Sequence, residues 1–334
     1  MDKEVTIYDI AEKLNISATT VSRGLNNNPV INSKTREKIH AIAKDLGYRH
    51  NTIASNLRKQ QSKTIGVLLH EVNSNFSTSV LAGIEKTASA AGYDLLIAHS
   101  AEDSTKEKAN TKNLLNKRVD GLIVSLALNT QETDHFDFFF ERKIPVVFFD
   151  RVITNSKCTK VVIDNFKCGY DATFHLLKKG YKKIAHITAN LTRNVYYDRL
   201  EGYKQALKEK KISFNEDLVK ICSLDKEATI EAVEELLKSK PDAFFITNDF
   251  AAAVCINLLH ERGLNIPKDI AVFGFNNDVL CDLITPKLST IEYPGMQMGE
   301  VAAKELIRQI KSNNIPKKTK TITIPSKLII RESA

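Results

Sequence analysis

From Thr64 onward the chain alternates short apolar runs with amphipathic segments, and this alternation limits the architecture more than any single motif does. The runs IGVLL (65–69), YDLLIAHS (93–100), GLIVSL (121–126) and PVVFFD (145–150) read as strands, with helical segments near 77–91, 105–117 and 133–142 between them. A second series, KVVIDN, IAHIT, LVKICS, AFFITN and IAVFGFN, is separated by helical stretches near 166–178, 198–210, 226–239 and 250–262. Strand followed by helix over more than 200 residues calls for crossover connections, hence parallel sheets covered on both faces. Two doubly wound sheets side by side are expected. Such sheets bind small molecules outside the carboxyl ends of their strands, so two of them facing one another close a cleft. Polar residues just after strands are therefore the ones to watch.

The first fifty residues have a different texture. Thr6 followed by Asp9 is a helix-start signal for residues 7–14, whose buried face is Ile10, Ala11 and Leu14. Asn15 sits where the chain must turn, and Asn tolerates the left-handed conformation. Ser17 caps a second helix, 18–25, in which Val21 and Leu25 share a face. A third helix, 33–46, packs through Ile39, Ile42, Ala43 and Leu46 and stops at Gly47. Helix, tight turn, helix and supporting helix make a helix-turn-helix plan. Residues 1–62 carry 10 Lys/Arg against 6 Asp/Glu, whereas 63–334 carry 38 against 34. Positive charge is thus densest in the small N-terminal unit, which points to an anionic partner, nucleic acid first.

Other classes are disfavoured. The five cysteines, Cys158, Cys168, Cys222, Cys255 and Cys281, form no CxxC pair and read as reduced thiols. The start MDKEVTIYDI has no apolar signal core, and no run of about 18 apolar residues appears, so a cytoplasmic protein is expected. There is no GxGxxG, GxxxxGK[ST] or GxSxG, His70-Glu71 lacks a second zinc-ligand histidine, and the eight histidines form no ligand-spaced cluster. No enzyme, cofactor or metal is expected. A secreted solute-binding protein would share the two-sheet core but needs a signal peptide in place of the helix-turn-helix.

The ordered set TVSR (20–23), TREKI (35–39), GYRHN (47–51), RLEGY (199–203), TND (247–249) and GFNND (274–278) resembles the lactose-repressor/galactose-repressor family of bacterial transcription regulators, over nearly the whole chain. The resemblance implies a helix-turn-helix DNA-binding domain at 1–50, a hinge helix or linker at 51–63 and a periplasmic-binding-protein-like core at 64–334 for effector binding and dimerisation. Within the core, one subdomain takes about 64–162 and 294–320, the other 163–293 and 321–334. Three departures stand out. The family usually has proline where His50 stands, Gly24 lies inside the recognition helix, and Ser74-Asn75-Phe76-Ser77 replaces a common Asn-Pro-Phe-Phe.

By that resemblance the helix opening at Ala18 enters the major groove. Arg23 suits paired bonds to guanine, Thr19 offers a hydroxyl and a methyl, and Ala18 fits against a thymine methyl. Ser17, Thr20, Ser22, Asn26 and Asn32 suit phosphates, where they set register; Thr6 and Tyr8 join the same DNA-binding set. For Thr20, packing within the turn is an equal alternative. In the hinge, Leu57 is the wedge between base pairs, Ala54 lets two hinges meet and Arg58 holds phosphate. The effector pocket implied is Asn75, Phe76, Ser125, Asp150, Arg199, Asn248 and Asn276, a set suited to a sugar or sugar derivative, because each unpaired hydroxyl in a closed cleft would cost about 1–3 kcal/mol. A nucleobase is the other ligand class. Asp150 has a second reading as a loop cap, and Asp249 is expected to cap the helix starting near residue 250. The partners implied are a roughly palindromic double-stranded operator and a second copy of the chain, with no membrane.

Overall fold

The computed structural model describes residues 5–48, 61–153, 158–312 and 320–334. It divides into two units, Met1–Gln61 and Ser62–Ala334. The smaller holds α1 (Ile7–Leu14), α2 (Ala18–Leu25) and α3 (Ser33–Asp45). Each start has its local cause. The Asp9 carboxylate accepts from the Thr6 backbone N–H at 2.7 Å and the Thr6 hydroxyl at 2.6 Å. The Ser17 hydroxyl accepts from the Thr20 N–H at 3.1 Å, and the Asn32 amide oxygen from Thr35 at 2.8 Å. Asn15, at φ 49°, makes the turn between α1 and α2. Ile10, Val21 and Ile39 form the fully buried centre, with Ala11 and Ala43 around them. Gly24 belongs to that packing: a Cβ there would lie 2.4 Å from Ile39 Cδ1, so the roughly 1 kcal/mol that glycine costs a helix lets α2 approach α3.

The larger unit contains the two expected parallel sheets. The first runs β11-β5-β4-β3-β1-β2, built from β1 (Thr64–Leu69), β2 (Asp94–His99), β3 (Gly121–Val124), β4 (Val146–Phe149), β5 (Thr159–Ile163) and β11 (Lys320–Ile324). The second runs β7-β6-β8-β9, from β6 (Ile184–Thr188), β7 (Val219–Ile221), β8 (Ala243–Ile246) and β9 (Ala271–Phe273). Every pairing within both sheets is parallel. Strand residues alternate between faces, and both faces of the central strands are buried. In the first sheet Ile65, Val67, Ile123 and Val147 share one cluster, while Leu68, Leu122, Val124 and Phe148 belong to another with Phe136 and Phe139. The covering helices are α4 (Asn75–Ala90), α5 (Ser104–Asn116), α6 (Asp137–Glu141), α7 (Asn165–Lys178), α8 (Asn194–Glu209), α9 (Lys226–Leu237), α10 (Asp249–Glu261) and α11 (Gly295–Ser312).

Differences from the sequence reading are local. The helix expected at 133–142 is a 3-10 turn, Asp134–Phe136, followed by the short α6. The helix expected at 198–210 starts earlier, at Asn194. Residues 321–324, expected in the second lobe, pair with β5 and so extend the first sheet. The chain passes between lobes after β5, again between β10 (Thr290–Ile291) and α11, and finally between β11 and β12 (Leu328–Ile329), with β10 and β12 pairing antiparallel.

One packing feature fixes the cleft wall. A Cβ on Gly169 of α7 would lie 2.2 Å from the Arg199 carbonyl oxygen, and one on Gly202 of α8 would lie 2.1 Å from the Phe166 carbonyl oxygen. The two helices therefore meet backbone to backbone, which explains the glycine of RLEGY and locks the turn bearing Arg199.

Candidate functional site

In the N-terminal unit, α2 buries Val21 and Gly24 and turns Thr19, Arg23 and Asn26 outward. These lie at i, i+4 and i+7, so they form one stripe along the helix. Arg23 is exposed, and among the described residues it makes no ion pair or hydrogen bond that would occupy its guanidinium. Thr6, Ser17 and Asn32 are also exposed, Tyr8 is 71% exposed, and Ala18, Thr20 and Ser22 are half-buried. The Thr20 hydroxyl is 2.8 Å from the Ser17 hydroxyl, so it is partly engaged within its own turn. The Asn26 side chain donates back to the Ser22 carbonyl at 2.8 Å. Ala54, Leu57 and Arg58 lie outside the described residues, as does His50.

In the core, the order β2-β1-β3 reverses direction at β1/β3, and β7-β6-β8 reverses at β6/β8. Ligands bind at such switch points, beyond the carboxyl ends of the strands. Three of the expected positions follow β3, β4 and β8. Ser125 is fully buried after β3 and pairs with His70 Nδ1 at 2.9 Å. Burial, aided by the nearby Arg151 charge, holds the His70 imidazole well below its ordinary pKa, so it is neutral. Asp150, after β4, has φ 57° and accepts from the Tyr293 hydroxyl, while burial raises its pKa. It caps no loop. Asn248, after β8, spends its amide oxygen on the Ala251 N–H at 3.1 Å, capping α10. That corrects the expectation for Asp249, which lies inside the helix and instead accepts from the Asp278 N–H at 2.8 Å and the Thr290 hydroxyl at 2.7 Å.

Arg199 is 3% exposed. Its Nε donates to Asn165 Oδ1 at 2.9 Å, one Nη to the Thr247 carbonyl at 3.2 Å, and the guanidinium lies 3.5 Å from the Phe275 ring centre. Phe76 stacks on Tyr293 with centroids 4.2 Å apart. Asn276 holds φ 129°, its N–H donating to the Ile291 carbonyl at 3.0 Å. Asn75 donates across the lobes to Asp278 at 2.6 Å.

Residues the sequence reading passed over complete this junction. Arg151 is clamped by Glu102 at 2.7 Å and donates to the Tyr196 hydroxyl at 3.2 Å. Asn194 bridges Asp150 O and Val152 N at 3.0 Å each, and Arg193 donates to the Thr130 carbonyl. Arg151 had a signal, directly following Asp150 at a strand end. Tyr293 had none, because it lies in an irregular crossover without periodicity. A cavity of about 750 Å³ opens at the ends of β3, β6 and β7, lined by Leu128, Leu191, Thr192, Tyr197, Ile221 and Ser223 among others. None of the seven expected effector residues lines it, so the polar junction and this more apolar cavity are separate parts of the cleft. Among the described residues no group of three or more His, Cys, Asp or Glu side chains is placed to hold a metal ion, and no helix is long and apolar enough to cross a membrane.

A family model for bacterial regulatory proteins of the lacI family matches residues 6–51, and one for periplasmic binding proteins and the sugar binding domain of the LacI family matches 62–332. The ribose operon repressor of Haemophilus influenzae is 31% identical over 330 residues, 98% of each chain. The catabolite control protein A of Priestia megaterium is 30% identical, over 98% of this chain and 99% of that one. The lac repressor dimer bound to operator and the anti-inducer ONPF has a TM-score of 0.85 at 24% identity, covering 99% of each chain; it shows the shared fold.

Proposed function

Because this chain belongs to the LacI family of DNA-binding bacterial transcription regulators, we propose that it is a homodimeric repressor of a roughly palindromic operator whose DNA affinity is set by a sugar or sugar derivative held between the core lobes. The observation that carries the reading is the exposed stripe Thr19, Arg23 and Asn26 on a helix whose other face is buried. Arg23 reads guanine through its O6 and N7 acceptors, a pairing that discriminates by about 1–3 kcal/mol. Thr19 and Ala18 contact the neighbouring base edge. Ser17, Thr20, Ser22, Asn26 and Asn32, with Thr6 and Tyr8, hold the phosphate backbone and set register. In the hinge, Leu57 is the minor-groove wedge, Ala54 lets two hinges meet and Arg58 holds phosphate. The site of action is the cytoplasm, where operator DNA is.

The cleft favours a polyhydroxylated ligand over a nucleobase. The amide, carboxylate and guanidinium groups of its polar junction are many, and the aromatic rings there are already engaged: Phe76 stacks on Tyr293 and Phe275 lies under Arg199. Hydrogen bonds at Asn75–Asp278, Asn194–Asp150 and Arg151–Tyr196 tie the lobes together. A ligand bonded to both lobes stabilises that closed arrangement, and operator DNA must then change ligand affinity by the same factor. The test is selection of duplexes from a random pool by the full chain, followed by a calorimetric sugar screen with Arg199→Ala as control. Recovery of a two-fold-symmetric site and of a sugar that Arg199→Ala no longer binds supports the reading. An unenriched pool overturns it.

A further inference from the structure

Three guanidiniums are buried where the lobes meet, and only one has a carboxylate partner. Arg151, 5% exposed, is paired with Glu102. Arg193, 7% exposed, and Arg199, 3% exposed, make no ion pair among the described residues. Arg193 gives one Nη to the Thr130 carbonyl of the first lobe, while its buried Nε has no hydrogen-bond partner. The carboxylates whose charge reaches Arg193 are Glu107 and Glu102, and both are committed elsewhere. Glu107 accepts from the Ala127 N–H, the Thr130 hydroxyl and His135 Nε2; Glu102 accepts from Arg151 and the Leu128 N–H.

Arg193 is also the residue at which α8 begins. No side chain caps that 16-residue helix, and its first turn holds no acid. The positive end of the helix, uncapped by any side chain, therefore coincides with a buried guanidinium lacking a counter-ion. A buried charge without a partner is strongly unfavourable, and one bond to a carbonyl uses one of the five donors an arginine has. A glutamine would serve that single bond without the burden of the charge. What the arrangement lacks is an anion.

Resting on the cleft being the effector site, we propose that the effector carries an anionic group, a phosphate monoester or a carboxylate, seated on Arg193 and the N-terminal turn of α8. The planar fork of a guanidinium matches either group with two parallel bonds, and a helix N-terminus favours the same charge.

The experiment uses the full chain. Thermal unfolding is followed in inorganic phosphate and in chloride at matched ionic strength, and calorimetry compares glucose, glucose 6-phosphate and gluconate. Phosphate is expected to raise the Tm above chloride, and Arg193→Gln to abolish the difference; Arg193→Lys, which keeps the charge, retains part of it. A charged hexose is expected to bind at least about tenfold more tightly than glucose, with that preference lost in Arg193→Gln. Whether glucose 6-phosphate or gluconate shows the preference identifies phosphate or carboxylate as the source. Equal stabilisation by phosphate and chloride overturns the proposal, as does a phosphate effect unchanged in Arg193→Gln, which is the general stabilisation phosphate gives by exclusion from protein surfaces. If no hexose binds, the phosphate comparison decides alone. Glucose binding as tightly as its charged relatives sinks the anion site and leaves the regulator reading standing. Absence of any duplex preference does the reverse.

Discussion

Replacing Gly202 with alanine tests how packing between α7 and α8 controls the cleft. The new Cβ would meet Phe166 O at 2.1 Å and Tyr170 N at 2.6 Å, both backbone atoms that cannot rotate away. Reaching ordinary contact near 3.5 Å requires the helices to part locally by about 1.4 Å. Overpacking of this kind costs about 1–3 kcal/mol, and alanine returns about 1 kcal/mol of helix propensity. With a backbone clash the upper figure applies, leaving a net loss of about 2 kcal/mol and a Tm lowered by about 4–8 °C. Arg199 lies one turn before Gly202, so parting the helices also lengthens its 2.9 Å bond to Asn165, the first residue of α7. Effector affinity should fall by at least about tenfold, equivalent to about 1.4 kcal/mol. Operator affinity without effector should stay unchanged, because Gly202 lies in the other unit from the DNA-reading helix. Scanning calorimetry, titration calorimetry with the sugar recovered from the screen, and operator anisotropy read the three quantities. A variant with an equal or higher Tm and intact effector affinity would show that the helices do not depend on this close approach.

Other perturbations address separate parts of the molecule. Arg23→Ala should relax base preference at one operator position by about 1–3 kcal/mol, read by binding to a set of single-base operator variants; uniform weakening would reassign Arg23 to phosphate. Leu57→Ala should reduce DNA bending measured by energy transfer between operator ends, and an unchanged bend removes the wedge. Burial raises the Asp150 pKa, so folding favours the protonated acid and the ionised form subtracts stability at neutral pH. Asp150→Asn should therefore raise the Tm most at pH 7, with the gain shrinking towards about pH 4 as the unfolded carboxylate protonates too; a gain that grows on acidification contradicts this. Asn75→Ala removes an exposed interlobe hydrogen bond of about 0.5–1 kcal/mol, so effector affinity should drop by about twofold to fivefold in calorimetry, and no change would mean the tie does not hold the lobes closed.

Elements that bury a regular face were legible in the sequence, because period 2 and period 3.6 leave a pattern. That is why β6 falls where IAHIT predicts it, residues 184–188, and why α1 and α2 match at both ends. The expectation failed where tertiary pairing, not local pattern, decides. The β11 strand is an outer strand whose partner, β5, lies about 160 residues earlier, and three of its five residues are exposed. The two-residue strands β10 and β12 are too short to show alternation. Within the cleft, the strand-end rule placed Ser125, Asp150 and Asn248 correctly beyond their strands. It missed Tyr293 and Arg193, which reach the junction from an interlobe crossover and from the loop before α8. The cap expected at Asp249 falls to Asn248, because either residue can cap a helix and only the actual first turn shows which one does.

The most direct test is a titration of the selected operator, followed by anisotropy, at several fixed concentrations of the effector, paired with effector calorimetry in the presence and absence of operator. The account predicts preference for the selected duplex over random competitor and a shift in operator affinity on adding effector. It also requires an equal and reciprocal shift in effector affinity on adding operator. A protein that binds random and selected duplexes alike, or whose operator affinity ignores an effector it demonstrably binds, would contradict it.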